Sequence, residues 1–217
     1  MESPVRGGTR WKRFAVVMVP SVAATAAIGV ALSQGALAAS FSVSGQNFKV
    51  SADKLVGQGF TQYGGVDYGT DTGNGKKAAH PVAVNGFTSA KITNLCQSVV
   101  TPNVPGIGTI TLRLSAGNKG TDVKAKNLYI DLDDLSTTNA TFKNINIGAA
   151  AGSTNDGKHA GIAPGDKGKV AGDSFAQDAD QAVLTGVKQQ AWATTAGTFK
   201  LANLGLSLKR GNNPCYH

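Results

Sequence analysis

The sequence predicts an all-β fold: a curved or sandwiched, mainly antiparallel sheet behind an N-terminal export segment, with an elongated or irregular solenoid-like form as its variant. Three observations predict it. Apolar residues alternate with polar ones over several short runs, the period that gives a strand one dry and one wet face. Every acid after residue 38 is Asp, a turn and cap former, and the only Glu is Glu2. The 28 glycines imply many turns.

The chain opens with Arg6, Arg10, Lys12 and Arg13, followed by an apolar run over residues 14–32 and the small-residue pattern Ala36-Leu37-Ala38. A charged region, a hydrophobic region and an A-x-A site together make a secretory signal, cleaved after Ala38. The rival reading is a retained anchor, since a mostly apolar run of 19 residues approaches a membrane span. Pro20 and the alanine-rich composition favour cleavage. The domain boundaries are therefore 1–38 for the signal and 39–217 for one β-rich domain, secreted or held at the cell surface. Membrane contact would come only through an uncleaved N-terminus.

Within the mature part, Phe41-Ser-Val43, Phe48-Lys-Val50, Val82-Ala-Val84, Ile110-Thr-Leu112-Arg-Leu114, Leu128-Tyr-Ile130-Asp-Leu132 and Leu204-Gly-Leu206-Ser-Leu208 alternate. Two stretches rich in Gly, Asp, Asn and Lys, residues 64–80 and 148–173, read as mobile loops. Residues 174–181 are the one helix candidate, with Ser174 as cap and Phe175, Ala179 and Ala182 sharing a face. A faint echo aligns Thr141-Phe-Lys with Thr198-Phe-Lys, and Asn-Leu steps recur at Asn94-Leu95 and Asn127-Leu128. These suggest either a duplicated unit or strands that end alike.

The net charge of +8 falls to about +5 once residues 1–38 are set aside. The lysines are scattered, so nucleic acid is not an expected partner. Two cysteines, Cys96 and Cys215, in an oxidising compartment read as one disulfide. No cofactor is expected. His80, His159 and His217 show no metal-ligand spacing, and the weak metal candidates are Asp131 and Asp133, which project together from one strand face. Asp71-Thr-Gly-Asn-Gly is turn chemistry, without the Lys and Ser/Thr of a phosphate loop.

Catalytic signals are thin. Gly172-Asp-Ser174 has the G-D-S form of some esterases, but no Asp-x-x-His block follows, and a cap role explains Ser174 equally well. No G-x-S-x-G elbow exists. Trp192, flanked by small residues, is the candidate lining of an apolar groove or an anchor of the core.

Read together, the start Met1-Glu-Ser-Pro-Val-Arg-Gly-Gly-Thr-Arg, then Ala39-Ser-Phe-Ser-Val-Ser, Asn94-Leu-Cys-Gln-Ser-Val-Val and Gln190-Ala-Trp-Ala-Thr-Thr-Ala-Gly resemble one family. It is a family of exported actinobacterial, streptomycete-type proteins of unknown function, some labelled cholesterol esterase. The resemblance implies export, and the label implies a lipid ester substrate without supplying catalytic residues. Three functions stay open: a non-catalytic envelope protein that binds a lipid or a surface protein, a sterol ester hydrolase, and a self-assembling surface component.

Overall fold

Alternating strands must bury their apolar face, and here one sheet does so by curling onto itself. The computed structural model describes residues 46–70 and 77–217. Residues 1–45, which include the expected signal and Phe41-Ser-Val43, and residues 71–76, expected as turn chemistry, lie outside them. Nine strands follow in order: β1 Phe48–Thr70, β2 Lys77–Thr93, β3 Leu95–Val104, β4 Gly108–Ala116, β5 Val123–Ser136, β6 Asn139–Lys143, β7 Asn146–Ala150, β8 Phe175–Lys200 and β9 Gly205–Arg210. All pairings are antiparallel.

β1 pairs with β2, β2 with β5, β5 with β8, and β8 returns to β1, so four long ribbons form a closed ring. β8 uses residues 176–191 against β1 and residues 188–200 against β5. β6 and β7 continue β5 along the same side of β8. Of the forms left open by the sequence, the curved antiparallel sheet is the one built.

A ring of four ribbons is narrow, because barrel diameter grows with strand number. Its inward positions are correspondingly small or medium: Ala52, Ala90, Ala125, Ala179, Ala182 and Ala191 stand among Leu55, Phe60, Phe87, Ile92, Leu128 and Ile130. The remaining interior cavity is about 30 Å³, room for about one water.

Strands this long twist too far to keep one phase of alternation. Inward residues of β1 run Val50, Ala52, then Leu55, then Phe60, and those of β5 run Val123, Ala125, then Leu128, Ile130. Gly59 (59°) and Asn127 (48°) take positive φ at the later change on β1 and the change on β5, while Asn94 (54°) and Gly186 (58°) do so opposite the Ala52-to-Leu55 change. Glycine and asparagine tolerate that conformation, and such kinks sharpen strand twist. This explains the Asn-Leu steps, since Asn94 and Asn127 are the kinks and Leu95 and Leu128 the buried residues beyond them. The Thr-Phe-Lys echo is different. Its first copy runs from β6 through a positive-φ Asn144 into β7, whereas its second ends β8 with positive φ at Asn203.

The helix expected over residues 174–181 is not formed: Ser174 precedes β8 and residues 175–181 are strand. Asp180 lies between Gly59 on β1 and Asn144 beside β7, where the phase slips. The buried alanines 176, 179 and 182 therefore fall three apart and mimic a helical face. Residues 64–70 and 77–80 likewise extend the β1–β2 hairpin instead of forming a loop, because each backbone supplies the other's hydrogen bonds despite the glycines.

Residues 148–173 contain the end of β7 and two 3₁₀ turns, Ala151–Thr154 and Pro164–Asp166. They pack on the outside of the ring, where Ala151, Ile162 and Ala163 join Tyr63, Val82, Val84, Tyr129 and Ala176 in a second cluster. Ala160 N–H donates to Gly59 O (2.8 Å), Gly161 N–H to Thr61 Oγ1 (3.1 Å) and Ala163 N–H to the Tyr63 hydroxyl (2.9 Å). A side chain on Gly59 would stand 2.5 Å from Lys158 O, so glycine there admits the crossing segment.

Cys96 and Cys215 are bonded, with Cα atoms 5.9 Å apart and a sequence separation of 119. A loop of that length implies about 4–5 kcal/mol from restricting the unfolded chain. The double substitution Cys96→Ala/Cys215→Ala is expected to lower the unfolding free energy by about 2–5 kcal/mol. Urea titration checks this, and a loss below about 1 kcal/mol contradicts it.

Candidate functional site

β3, β4 and β9 leave the ring as a three-stranded arm whose two faces differ sharply. Register places Val99, Leu112 and Leu208 abreast, then Gln97, Leu114 and Leu206, then Thr101, Ile110 and Arg210. On the opposite face stand Cys96, Ser98, Thr111, Arg113 and Ser207, because neighbouring residues alternate sides.

The C-terminal tail covers that second, polar face. Besides the disulfide, Cys215 N–H donates to Ser98 Oγ (2.9 Å). The Thr111 hydroxyl donates to Gly211 O (2.7 Å) and accepts from Asn213 N–H (3.0 Å). Arg113 Nη2 approaches Cys96 Sγ at 3.3 Å. The Lys49 ammonium lies 4.8 Å from the centre of the Tyr216 ring. Ser98 and Thr111 are buried in consequence.

Nothing equivalent covers the leucine face among the described residues. Leu112 is 43% exposed, Leu204 54%, and Leu206 and Leu208 66% each. Leu114 packs partly against the ring core, and Leu95 and Gln97 line the interior cavity. The leucine row thus runs from the end of the ring outward to Arg210. Outside single residues, contiguous apolar exposure of this kind marks interaction surfaces. β9 pairs only with β4, so its outer edge has no strand partner among the described residues.

A second concentration of chemistry lies under residues 155–170. The Tyr63 hydroxyl donates to Asp166 Oδ2 (2.7 Å), and the Tyr129 hydroxyl donates to Ala160 O (2.7 Å). Burial, then the neighbouring Asp166, raises the pKa of both phenols and keeps them protonated. Asp131 does project opposite Ile130 and Leu132, which face the ring core. It is not simply solvated, however. Burial first, then Asp67 and Asp166, push its carboxyl up to about 7. Asp67 is raised by burial and Asp166, against the lowering influence of His80 and Lys169.

Asp133 is engaged otherwise, accepting from Trp192 Nε1 (3.0 Å) and Gln190 Nε2 (3.2 Å). Trp192 therefore sits on the outer face, its ring stacked on His80 with centroids 3.7 Å apart, and is absent from the lining of the interior cavity. Ser174 lies at the entry to β8, its hydroxyl donating to Ala171 O (2.7 Å). No hydrogen bond joins it to a histidine among the described residues; His159 instead bonds Asp156. Asp67 and Asp166 escaped the sequence reading, and His159 was named without partners, because their neighbours come from distant segments. The Leu204-Gly-Leu206-Ser-Leu208 alternation was visible, but not which face would stay bare.

The raised Asp131 carboxyl sets a pH dependence. The folded chain binds a proton at Asp131 between its ordinary value near 3.8 and about 7, whereas the unfolded chain has lost it. The associated stability is full below about pH 4 and is lost as pH rises through about 7. Asp131→Asn is expected to be more stable than the parent by about 1–3 kcal/mol at pH 8 and nearly equal to it at pH 4. Denaturant midpoints at the two pH values check this, and an equal difference at both would contradict it.

Residues 44–216 match a protein family described as Family of unknown function (DUF6230). No curated protein matches the chain. No solved structure matches it either. Since the matched region spans the ring, the arm and both cysteines, the chain belongs to the DUF6230 family, a family of unknown function.

Proposed function

We propose that this chain is an exported, non-catalytic protein that engages anionic lipid surfaces through the leucine face of its β3–β4–β9 arm. The observation that carries the reading is the one-sided exposure of Leu112, Leu206 and Leu208, aligned in register with Arg210 at the end of the row. The tail and disulfide secure the opposite face, so the arm presents its apolar side as a supported surface.

The interior cavity of about 30 Å³ is too small for an acyl chain. A lipid contact through the leucine face is accordingly superficial. Burying four partly exposed leucines contributes roughly 5 kcal/mol. Arg210 at the end of the leucine row adds about 1 kcal/mol near an anionic headgroup layer. Together these favour reversible attachment that weakens with salt. Export rests on the charged, apolar and A-x-A parts of residues 1–38 and on the bonded cysteines.

Vesicle co-sedimentation tests the reading. The chain is expected to bind vesicles containing phosphatidylglycerol and to bind pure phosphatidylcholine vesicles less. Leu206→Ser/Leu208→Ser, at exposed positions, should weaken binding about tenfold or more without altering the melting temperature. Absence of binding to anionic vesicles, or equal binding by the variant, contradicts the proposal. A dimer in sedimentation velocity that the same variant abolishes would assign the face to a second copy instead.

A further inference from the structure

Away from the arm, the first half of β8 carries Asp178 and Asp180, two positions apart. Asn146 Nδ2 donates to Asp178 Oδ1 (2.9 Å), and Asn144 Nδ2 donates to Asp180 Oδ2 (2.7 Å). Both carboxylates are thereby oriented by amides from the β6–β7 side. Over them passes the segment holding His159. Asp156 Oδ1 accepts the backbone N–H groups of Lys158 and His159, each at 2.8 Å, and its Oδ2 lies 2.7 Å from His159 Nδ1. Those donors, the His159 N–H first, hold the Asp156 carboxyl down to about 2.

A carboxylate on Nδ1 makes that nitrogen the donor, so in the neutral ring Nε2 carries the lone pair. Nε2 is buried without a hydrogen-bond partner. The His159 side chain is only 7% exposed, and Nε2 points between Asp178 Oδ1 at 3.6 Å and Asp180 Oδ1 at 3.7 Å. These separations are too long for hydrogen bonds. A lone pair facing two carboxylates is unfavourable unless a proton or a metal ion stands between them. Two ligand atoms, each about 2.1 Å from a metal ion at a tetrahedral angle, stand about 3.4 Å apart.

We propose that His159 Nε2, Asp178 Oδ1 and Asp180 Oδ1 bind a divalent transition-metal ion, with Asp156 holding the imidazole from behind. Among the described residues no group of three His, Cys, Asp or Glu side chains has metal-ligand spacing as it stands, so the three donors must draw together around the ion. The Lys158 ammonium sits 2.5 Å from Asp180 Oδ1, on a side chain that is 62% exposed. It balances the Asp180 charge when no ion is bound, and its exposure leaves it free to move into solvent when one arrives. Three carboxylates against one ammonium leave a local charge that suits a divalent ion. An open cavity of about 620 Å³, lined by Asn146, Ser153, Asp156, His159 and Asp178 among others, admits the ion and its remaining waters.

Isothermal titration of the untagged, chelator-treated full chain with zinc chloride tests this, with manganese and calcium chloride as comparators. One zinc site is expected. His159→Gln should weaken it about tenfold or more. Lys158→Ala, at an exposed position that leaves folding intact, should tighten it about threefold by removing the competing ammonium. A rise in melting temperature with zinc should follow the same order. No binding of zinc or manganese overturns the assignment. So does a site unaffected by His159→Gln, or a Lys158→Ala variant that binds no more tightly than the parent.

Discussion

β8 hydrogen-bonds along both edges, to β1 and to the run of β5, β6 and β7, and this double pairing places everything else. Were β8 held on one side only, β1 and β5 would be separated edges and their alanine-rich faces would meet water. Closing the ring satisfies the backbone groups and dries those faces together. Closure with four ribbons demands strong coiling, which Gly59, Asn94, Asn127 and Gly186 supply by leaving the ordinary strand region. The kinks are tied down by polar contacts, as where Asn94 Nδ2 donates to Asp53 Oδ2.

The same constraint positions the two candidate sites. Little of the ring's interior is left empty, about 30 Å³, and both candidate sites lie on its outside. On one side the chain continues into the β3–β4–β9 arm, whose polar face the bonded tail occupies and whose leucine face it leaves bare. On the other, the long connection from β7 to β8 is pressed onto the ring exterior. It brings Asp166 to Tyr63 and His159 to Asp178 and Asp180. Polar groups from the segment thereby meet polar groups that the sheet could not satisfy alone.

How far this was legible depends on whether the signal is local. The alternation around Leu128 and Ile130, and around Leu206 and Leu208, directly names strands and their apolar faces. The pairing of Cys96 with Cys215 follows from there being two cysteines. Closure was not legible, because it depends on the register of Leu55 against Leu184, residues far apart in the chain. Phase slips also disguise strand as helix: Ala176, Ala179 and Ala182 fall three apart only because the alternation resets near Asp180. The charge clusters were invisible for a further reason. Asp131, Asp67 and Asp166 influence one another although no sequence spacing relates them, and His159 in a glycine-rich segment gives no hint of Asp178.

Backbone nuclear Overhauser effects on isotope-labelled protein test the ring most directly. The account predicts cross-strand contacts between Leu55 and Leu184, between Tyr129 and Thr195, between Gln62 and Asn85, and between Asn85 and Ile130, all in one folded species. Contacts for the last three pairs without those joining β8 to β1 would show an open sheet and contradict it.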